Sequence, residues 1–387
     1  MLSKRLTNLH PYVPGEQPKD RVYIKLNANE NPYPPHKSVA EAVSKAVLEN
    51  TEKLGLYPDP DATELRKAIA DMLNQTGGVL SRARGKQNAD GSCTCSPSEQ
   101  DKIPFTVTPD MIFCGNGSDE VLSFVFYTFF DSDRPLVLPE FTYSFYPVYC
   151  GYYNIPMNPI PLKDDWTLDV EKMLFEANKS DSAIIFANPN APTALSLSRE
   201  QVRGMIKKAP KDKVFIVDEA YCDFGGESCI PLLSEFDNLV IVRTFSKSLS
   251  GAGMRLGFTV ASPKLTESIF TVKNSFNHFP IDFVTQTAGI ASCKSAFYYA
   301  ENARKIVSNR TRLTDFLREK GWFVIDSSTN FVFAKKEGVS GEAVYQSVKQ
   351  DGLLIRHFAT PGIEDFVRMT IGTDEQTSAL IKSLEKF

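Results

Sequence analysis

The sequence lacks the features that mark several classes of protein. Its longest strongly apolar run is residues 121–130, far shorter than the roughly 20 residues of a membrane-spanning helix. It has 43 basic and 47 acidic residues, without the basic excess that is typical of nucleic-acid-binding proteins. No continuous apolar segment follows the first basic residues, so a secretory signal peptide is not indicated. We therefore expect a cytoplasmic protein with neither a membrane nor a nucleic acid as its partner.

Residues that commonly bind metals are few and dispersed. The four histidines and seven cysteines show no paired spacing of the kind that zinc sites use. Cys93 and Cys95 are close together, but their Gly/Ser-rich stretch contains no second pair and no histidine, so a surface loop explains them better. The scattered histidines also offer little basis for a Ser/His/Asp triad. We expect reduced cysteines and no metal site.

The order of apolar segments predicts an α/β fold. Short β-rich runs alternate with helical segments, which is typical of a mainly parallel sheet sandwiched by helices. Helical periodicity is predicted over residues 37–48 and 63–73 before these runs and over residues 285–320 after them. The predicted strands are residues 111–114, 135–138, 183–187, 214–217, 239–243 and 257–261.

The chain is long enough for two domains. Residues 1–35, rich in Pro and Asn, predict an extended N-terminal arm, and residues 36–275 a large domain. Residues 81–101 are polar and Gly/Ser-rich and predict a mobile insertion within that domain. The pattern then becomes strand-rich with one further helix, so residues 276–387 predict a smaller α+β domain that packs with the arm.

A glycine-containing turn follows the first predicted strand. Residues 115–119, Gly-Asn-Gly-Ser-Asp, lie between that strand and a helix. Helix N-termini present unpaired N–H groups, and glycines let a phosphate approach the backbone. The turn is a candidate phosphate site, but an ordinary connection with Ser118 or Asp119 as the N-cap explains it equally well.

An aspartate ends another predicted strand. Asp218 follows the apolar run 214–217 and precedes Glu219, Ala220 and Tyr221. A carboxylate at the mouth of a buried strand is costly unless it has a cationic partner, and a protonated pyridine nitrogen would be one. A helix N-cap or a metal ligand in another enzyme class would explain the motif as well.

A lysine in a small-residue setting follows the next strand. Ser246, Lys247 and Ser248 come after residues 239–243, and Arg255 comes shortly afterwards. Ligands bind at the carboxyl edge of parallel sheets, where a lysine that loses its proton can form a Schiff base. The serines and the guanidinium can bind a phosphate. Because a single lysine is usually a surface residue, the interpretation depends on the neighbouring motifs.

Five motifs in order carry a family resemblance. GNGSDE, FTYSFYP, NPNAPT, VDEAY and TFSKSLSGAGMRLG together resemble the class I/II, fold-type I pyridoxal-phosphate aminotransferases over nearly the whole chain. The segments LNANENPYP, LGLYPDPDATELR and VRMTIGT are most similar to the histidinol-phosphate aminotransferase branch. The resemblance implies a large domain that binds pyridoxal 5'-phosphate and a smaller α+β domain.

The resemblance also implies roles for the polar residues around the cofactor. Lys247 would bind its aldehyde as a Schiff base, Asp218 would keep its ring nitrogen protonated, and Tyr221 would bind its phenolic oxygen. Tyr143 would stack on the ring. The implied phosphate contacts are Gly117, Ser118, Asp119, Ser246, Arg255 and, from the neighbouring subunit of a homodimer, Tyr57.

The resemblance also extends to positions that face the substrate. The resemblance implies that Arg368 grips a carboxylate, that Arg356 contacts the substrate phosphate, and that Asn29 and Tyr33 contribute to substrate binding. Structural ion pairs are the alternative for both arginines. The family usually has Asn-Asn-Pro-Thr-Gly where this chain has Asn-Ala-Pro-Thr-Ala at residues 190–194.

That departure and the choice of substrate leave alternatives open. Ala191 replaces the asparagine expected to face the phenolic oxygen, and Asn190 or Asn188 could substitute for it. The favoured function is transamination between L-histidinol phosphate and 2-oxoglutarate in histidine biosynthesis. The alternatives are a threonine-phosphate decarboxylase, an aromatic amino-acid aminotransferase, or a non-catalytic regulator that binds pyridoxal phosphate.

Overall fold

The computed structural model describes residues 6–7, 9–12, 15–87 and 93–387. Its helices there are α1 Lys37–Glu49, α2 Thr63–Thr76, α3 Gly117–Phe129, α4 Tyr146–Tyr153, α5 Val170–Ser180, α6 Arg199–Lys208, α7 Pro263–Phe276, α8 Phe283–Lys294, α9 Ala296–Glu319, α10 Gly341–Gln350 and α11 Asp374–Leu384. Its strands are β1 Ile24–Lys25, β2 Arg84–Gln87, β3 Cys93–Ser96, β4 Ile112–Asn116, β5 Leu136–Pro139, β6 Met157–Ile160, β7 Ile184–Ala187, β8 Phe215–Asp218, β9 Leu239–Thr244, β10 Leu256–Ala261, β11 Trp322–Val324, β12 Phe331–Lys336, β13 Leu353–Leu354, β14 Arg356–His357 and β15 Val367–Thr370.

The largest sheet has seven strands in the order β4-β10-β9-β8-β7-β5-β6. All neighbours are parallel except β10, which is antiparallel to both β4 and β9. The six predicted strands are confirmed, with small shifts at their ends. The edge strand β6 was not predicted, because only one of its four residues is buried. Since β4, β8 and β9 share one direction, their carboxyl ends lie at the same edge of the sheet.

Helices cover both faces of this sheet, as the alternating pattern predicts. On β8, Ile216 belongs to the hydrophobic cluster that includes α3 and α4, whereas Phe215 and Val217 belong to the cluster with α2, α5 and α6. Side chains of successive strand residues point to opposite faces, so a strand buried on both sides has no polar alternation. No helix in the described ranges is both long and apolar enough to span a bilayer.

A second, antiparallel sheet has the order β11-β12-β15-β14, and helices α9 and α10 pack against it. The arm joins this unit through β1, which pairs in parallel with β13. The domain boundary predicted at residue 275 stays a prediction. The packing favours a later one, because α8 contacts α1 and α2 and the start of α9 joins the large-sheet core.

The segment at residues 81–101 is more ordered than the predicted loop. Strands β2 and β3 form an antiparallel pair within it, and their connection lies outside the described residues. Asp101 is fully buried, with Oδ1 3.1 Å from Arg199 Nη2 and 3.6 Å from Arg82 Nη1. These contacts anchor the Asp101 end of the segment, and the mobility of the insertion stays a prediction. Polar composition conceals such order, because it comes from an ion pair and backbone pairing instead of apolar burial.

Candidate active site

A cavity of about 540 Å³ opens between the carboxyl edge of the seven-stranded sheet and the four-stranded sheet. The predicted site residues that line it are Asn29, Tyr143, Tyr221, Lys247, Arg356 and Arg368. A second cavity of about 740 Å³ adjoins it and shares Tyr12, Arg356 and Phe358. Because only the first of these two is lined by Lys247, it is the candidate active site.

Asp218, at the end of β8, is a buried carboxylate beneath this cavity. Its Oδ2 accepts a hydrogen bond from the Tyr146 hydroxyl (2.8 Å), and its Oδ1 accepts one from the Ala220 N–H (3.1 Å). Burial raises the pKa of Asp218 to about 6, although both hydrogen bonds act to lower it. Neither partner is cationic. Among the described residues this buried carboxylate thus has two neutral hydrogen-bond donors and no cationic partner.

Lys247 lies in an irregular segment after β9, and its side chain reaches the cavity. Its Nζ donates to the Ala28 carbonyl (3.3 Å) and lies 5.7 Å from the centroid of the Tyr221 ring. The Asn31 amide donates to the carbonyls of Lys247 (3.0 Å) and Ser248 (3.2 Å). Within the described chain no carboxylate pairs with this ammonium. The lysine is therefore not committed to a structural ion pair.

The turn at residues 115–119 brings the predicted phosphate contacts together at the start of α3. Gly117 has φ +77°, and a Cβ atom there would lie 2.5 Å from the Arg255 guanidinium. Arg255 Nη2 lies 3.2 Å from Asp119 Oδ2, and the Tyr143 hydroxyl donates to Asp119 Oδ1 (2.9 Å). The cation and the helix N-terminus beside Ser118 both favour an anion here.

Ser246 is the remaining predicted phosphate contact within the chain. It is buried one residue before Lys247, and its N–H donates to Thr244 Oγ1 (3.1 Å). The local backbone bond holds this position at the end of β9. Its predicted contact with a phosphate stays a prediction.

Tyr221 is oriented by Asn29, which the sequence predicted as a substrate contact. The Asn29 Nδ2 donates to the Tyr221 hydroxyl (2.9 Å), and its Oδ1 accepts from the Thr370 hydroxyl (3.0 Å). Asn29 is 1% exposed and has a left-handed backbone, φ 54°, which asparagine tolerates better than most residues. From its position in the cavity wall, the Asn29 side chain therefore orients the Tyr221 hydroxyl.

Arg368 is a half-buried cation in the cavity wall. Its Nη2 donates to the Asn27 carbonyl (3.1 Å), while its Nε is buried without a hydrogen-bond partner in the described part of the chain. Burial lowers the pKa of Arg368, and the nearby Arg356 lowers it further. No carboxylate forms an ion pair with it among the described residues, so a structural ion pair does not explain this arginine. Two arginines at one cavity favour an anionic ligand.

The other predicted residues do not line the cavity. They are Asp218, Ser246, Arg255 and residues 117–119, described above, and three more. Tyr57 is 83% exposed and stacks on Phe279, a position from which it could only meet another molecule. Tyr33 packs beside Lys305, whose Nζ lies 5.3 Å from the ring centroid, and does not line the cavity. The predicted substrate contact of Tyr33 is thus not supported within one chain.

The third is Asn190, whose side chain is used inside its own loop. Its Nδ2 donates to the Phe141 carbonyl and to Thr193 Oγ1, both at 2.9 Å, and its Oδ1 accepts from the Thr142 hydroxyl (3.1 Å). Asn188 similarly bonds the backbone of Leu197. Neither asparagine lines the cavity, whereas Ala191 does. This geometry does not support the predicted contact of Asn190 with a cofactor.

Tyr146 and Tyr12 are functional candidates that the sequence reasoning missed. Tyr146 is fully buried and donates to Asp218, and Tyr12 of the arm lines both cavities. The segment FTYSFYP holds two tyrosines three residues apart, which was the available signal for Tyr146, since both then face the same side of a helical turn. No sequence signal places Tyr12, because its position depends on how the arm folds back.

The residues present fit pyridoxal phosphate. A cationic ring nitrogen matches the Asp218 carboxylate, which accepts two hydrogen bonds but has no cationic partner among the described residues. An aldehyde matches the uncommitted Lys247 amine, and a phosphate matches the turn at Gly117 with the nearby Arg255. This donor set requires no metal, and the described residues contain no group of three or more potential metal ligands.

Comparison with known proteins agrees with this fit. Histidinol-phosphate aminotransferase of Syntrophus aciditrophicus is 42% identical over 100% of this chain and 98% of its own length. Histidinol-phosphate aminotransferase 1 of Bradyrhizobium diazoefficiens is 40% identical over 98% of this chain and 96% of its own.

Solved structures show the same fold. Histidinol-phosphate aminotransferase from Sinorhizobium meliloti, in complex with pyridoxal-5'-phosphate, has a TM-score of 0.77 and 21% identity, covering 95% of this chain and 91% of that one. Aspartate aminotransferase from Thermus thermophilus with maleate has a TM-score of 0.78 and 17% identity, covering 100% and 99%. The family model for aminotransferase class I and II matches residues 21–384, and the chain therefore belongs to the class I and II aminotransferases.

Proposed function

We propose that this chain transfers the amino group of L-histidinol phosphate to 2-oxoglutarate, giving imidazole acetol phosphate and L-glutamate. The observation that carries the proposal is one cavity in which Lys247 faces two arginines, in a chain whose relatives at 39–42% identity are named for this reaction. Class I and II aminotransferases use pyridoxal phosphate. As a step in histidine biosynthesis, the reaction would take place in the cytoplasm.

The cofactor and the side chains divide the chemistry. Bound pyridoxal phosphate supplies a conjugated ring that stabilises negative charge on the carbon bearing the amino group. Asp218 stays largely ionised at neutral pH, because its pKa is about 6, and can hold a proton on the ring nitrogen. Tyr221, oriented by Asn29, would donate its hydroxyl proton to the phenolic oxygen. As a free amine, Lys247 would take the proton from the substrate carbon and return a proton in the second half of the step.

The two arginines suit the charges of both substrates. Histidinol phosphate carries a phosphate, and 2-oxoglutarate carries two carboxylates. Arg368 would bind a carboxylate, and Arg356 would bind the phosphate of the donor substrate. Arg368 has no carboxylate partner among the described residues, so a bound carboxylate would supply the missing charge and be held in a fixed orientation.

The proposal includes a homodimer in which Tyr57 completes the neighbouring site. Several large apolar side chains near Tyr57 are exposed, although burying them would be favourable. They are Leu48, Leu54, Leu56 and Phe276. A second copy that covers this surface would bring Tyr57 to the candidate phosphate site of the partner subunit.

Two assays test the proposed function. Purified protein with pyridoxal phosphate should form L-glutamate from histidinol phosphate and 2-oxoglutarate. Carbon dioxide release from threonine phosphate would favour a decarboxylase instead. Lys247→Ala should lose both turnover and the borohydride-sensitive absorbance of the lysine-bound cofactor, and persistence of that absorbance would contradict the role of the lysine.

A further inference from the structure

The segment that carries Lys247 has no regular secondary structure after β9 ends at Thr244. Its position must therefore depend on side-chain contacts. We propose that Asp223 is a positioning residue for Lys247 and acts through Ser248. This inference rests on the proposed function, because it assumes that Lys247 binds the cofactor.

One buried carboxylate links the lysine segment to two other parts of the chain. The Ser248 hydroxyl, which is fully buried, donates to Asp223 Oδ2. Asp223 Oδ1 accepts from the Leu80 N–H (2.9 Å) and from Arg243 Nη2 (3.0 Å). The carboxylate thus joins Leu80, strand β9 and the residue next to the lysine.

The surrounding charges fix this carboxylate in place. Arg243 is 5% exposed, and its Nη1 donates to Glu219 Oε2 (2.9 Å) and to the Gly78 carbonyl (2.8 Å). Burial alone would lower the pKa of Arg243, but the carboxylates of Asp223 and Glu219 raise it well above its ordinary value. The Ser228 hydroxyl bonds the same Glu219 oxygen. Networks in which every polar group is satisfied are rigid and specify one arrangement.

This network ties together the two halves of the cofactor site. Asp218 and Tyr221 precede Asp223 in the chain, and Lys247 precedes Ser248. The Asp223–Ser248 bond therefore sets how far the lysine lies from the residues that would hold the ring. The Asn31 amide holds the same segment through its carbonyls. A reacting group misplaced by about 1 Å can lose about a hundredfold in rate.

Ser248→Ala removes only this link, and the test is the attachment of pyridoxal phosphate to Lys247. The apoenzyme is mixed with pyridoxal phosphate, and the absorbance of the lysine-bound cofactor is followed in time. We expect attachment to slow about tenfold, because a less restrained lysine spends less time in reach of the aldehyde. Ser383→Ala is the matched control, since Ser383 is also buried and donates to a carboxylate, that of Asp351 (2.6 Å), away from the site.

A double-mutant comparison separates positioning from general stability. Asp223→Asn, Ser248→Ala and the double variant should slow attachment non-additively, because Asp223 acts through Ser248. Urea unfolding measures the stability that each serine variant loses, and only Ser248→Ala should attach slowly. If Asp223→Asn does not fold, the comparison of Ser248→Ala with Ser383→Ala tests the positioning role alone.

Attachment by Ser248→Ala at the wild-type rate would overturn the positioning role and leave the proposed function intact. Equal slowing in Ser383→Ala would also overturn it, because the effect would then be one of stability. A wild-type protein that never shows the lysine-bound absorbance would refute the proposed function itself, and the positioning role with it.

Discussion

Replacing Tyr146 with phenylalanine tests how the Asp218 carboxylate is kept ionised. The change removes the hydroxyl that donates to Asp218 at 2.8 Å and keeps the ring that packs against Phe126 and Tyr143. Only the Ala220 N–H then remains as a hydrogen-bond donor. A hydrogen bond to a charged group contributes about 1.5–3 kcal/mol, and one pKa unit corresponds to about 1.36 kcal/mol. The pKa of Asp218 should therefore rise from about 6 to roughly 7–8.

The sign of the pH dependence follows from this raised pKa. In the folded, cofactor-free protein Asp218 keeps its proton up to about pH 6, whereas the unfolded chain loses it near the ordinary pKa of 3.8. The contribution of this group to the unfolding free energy therefore falls as pH rises between those values. In Tyr146→Phe the fall continues to roughly pH 7–8, so the stability deficit of the variant grows by about 1.5–3 kcal/mol over that interval.

Urea unfolding of the cofactor-free proteins at about pH 5 and about pH 8.5 measures this growth. Tyr153→Phe is the matched control, because the Tyr153 hydroxyl lies 2.6 Å from the neutral Ser123 hydroxyl. Its stability deficit should be the same at both pH values. A deficit of Tyr146→Phe that is also independent of pH would refute the reasoning.

Three other variants test the rest of the site. Arg368→Met should raise KM for 2-oxoglutarate about 10- to 100-fold in steady-state assays. The Tm of the ligand-free protein should stay level or rise, because a half-buried guanidinium without a carboxylate partner is removed, and a clear fall in Tm would contradict this. Lys273→Met removes a buried ammonium that bonds the loop carrying Tyr57. It should weaken pyridoxal phosphate binding about tenfold by fluorescence titration, and unchanged affinity would contradict a role for Lys273 in positioning Tyr57. Gly117 has φ +77°, and Gly117→Ala would place a Cβ 2.5 Å from the Arg255 guanidinium. This variant should weaken pyridoxal phosphate binding at least about tenfold. Gly204→Ala is the control and should not weaken it, because Gly204 has open space around it.

The sequence predicts those parts of the fold that depend on apolar burial. Strand β8 is buried along its whole length, and its apolar run ended at Asp218 as expected. Strand β6 is mostly exposed and contains Pro159, so its residues give no comparable signal. The pair β2 and β3 and the buried Asp101 depend on backbone pairing and on Arg199, and composition suggested a loop there. Local pattern thus predicts burial better than it predicts order that comes from polar contacts.

The candidate site divides in a similar way. Residues that follow strands, such as Lys247 and Tyr221, are placed by the topology of the sheet, and the structure brings them to one cavity. The contacts of Asn29 and Tyr146 join residues far apart in the chain, 192 and 72 positions from their partners. No local pattern predicts such contacts. Tyr57 cannot be tested within one chain, because its expected partner lies in a second copy.

Buried charges distinguish the residues that hold the fold from those that await a ligand. Arg243 has two carboxylate partners, so its charge is neutralised by the chain itself. Asp218 is also buried and Arg368 is half-buried, yet among the described residues neither forms an ion pair with a side chain of opposite charge. Leaving such groups unpaired lowers the free energy of unfolding. A ligand that brings the missing charge raises it again. These unpaired charges therefore favour a ligand that offers a cation at Asp218 and an anion at Arg368, as a pyridinium ring and a substrate carboxylate do.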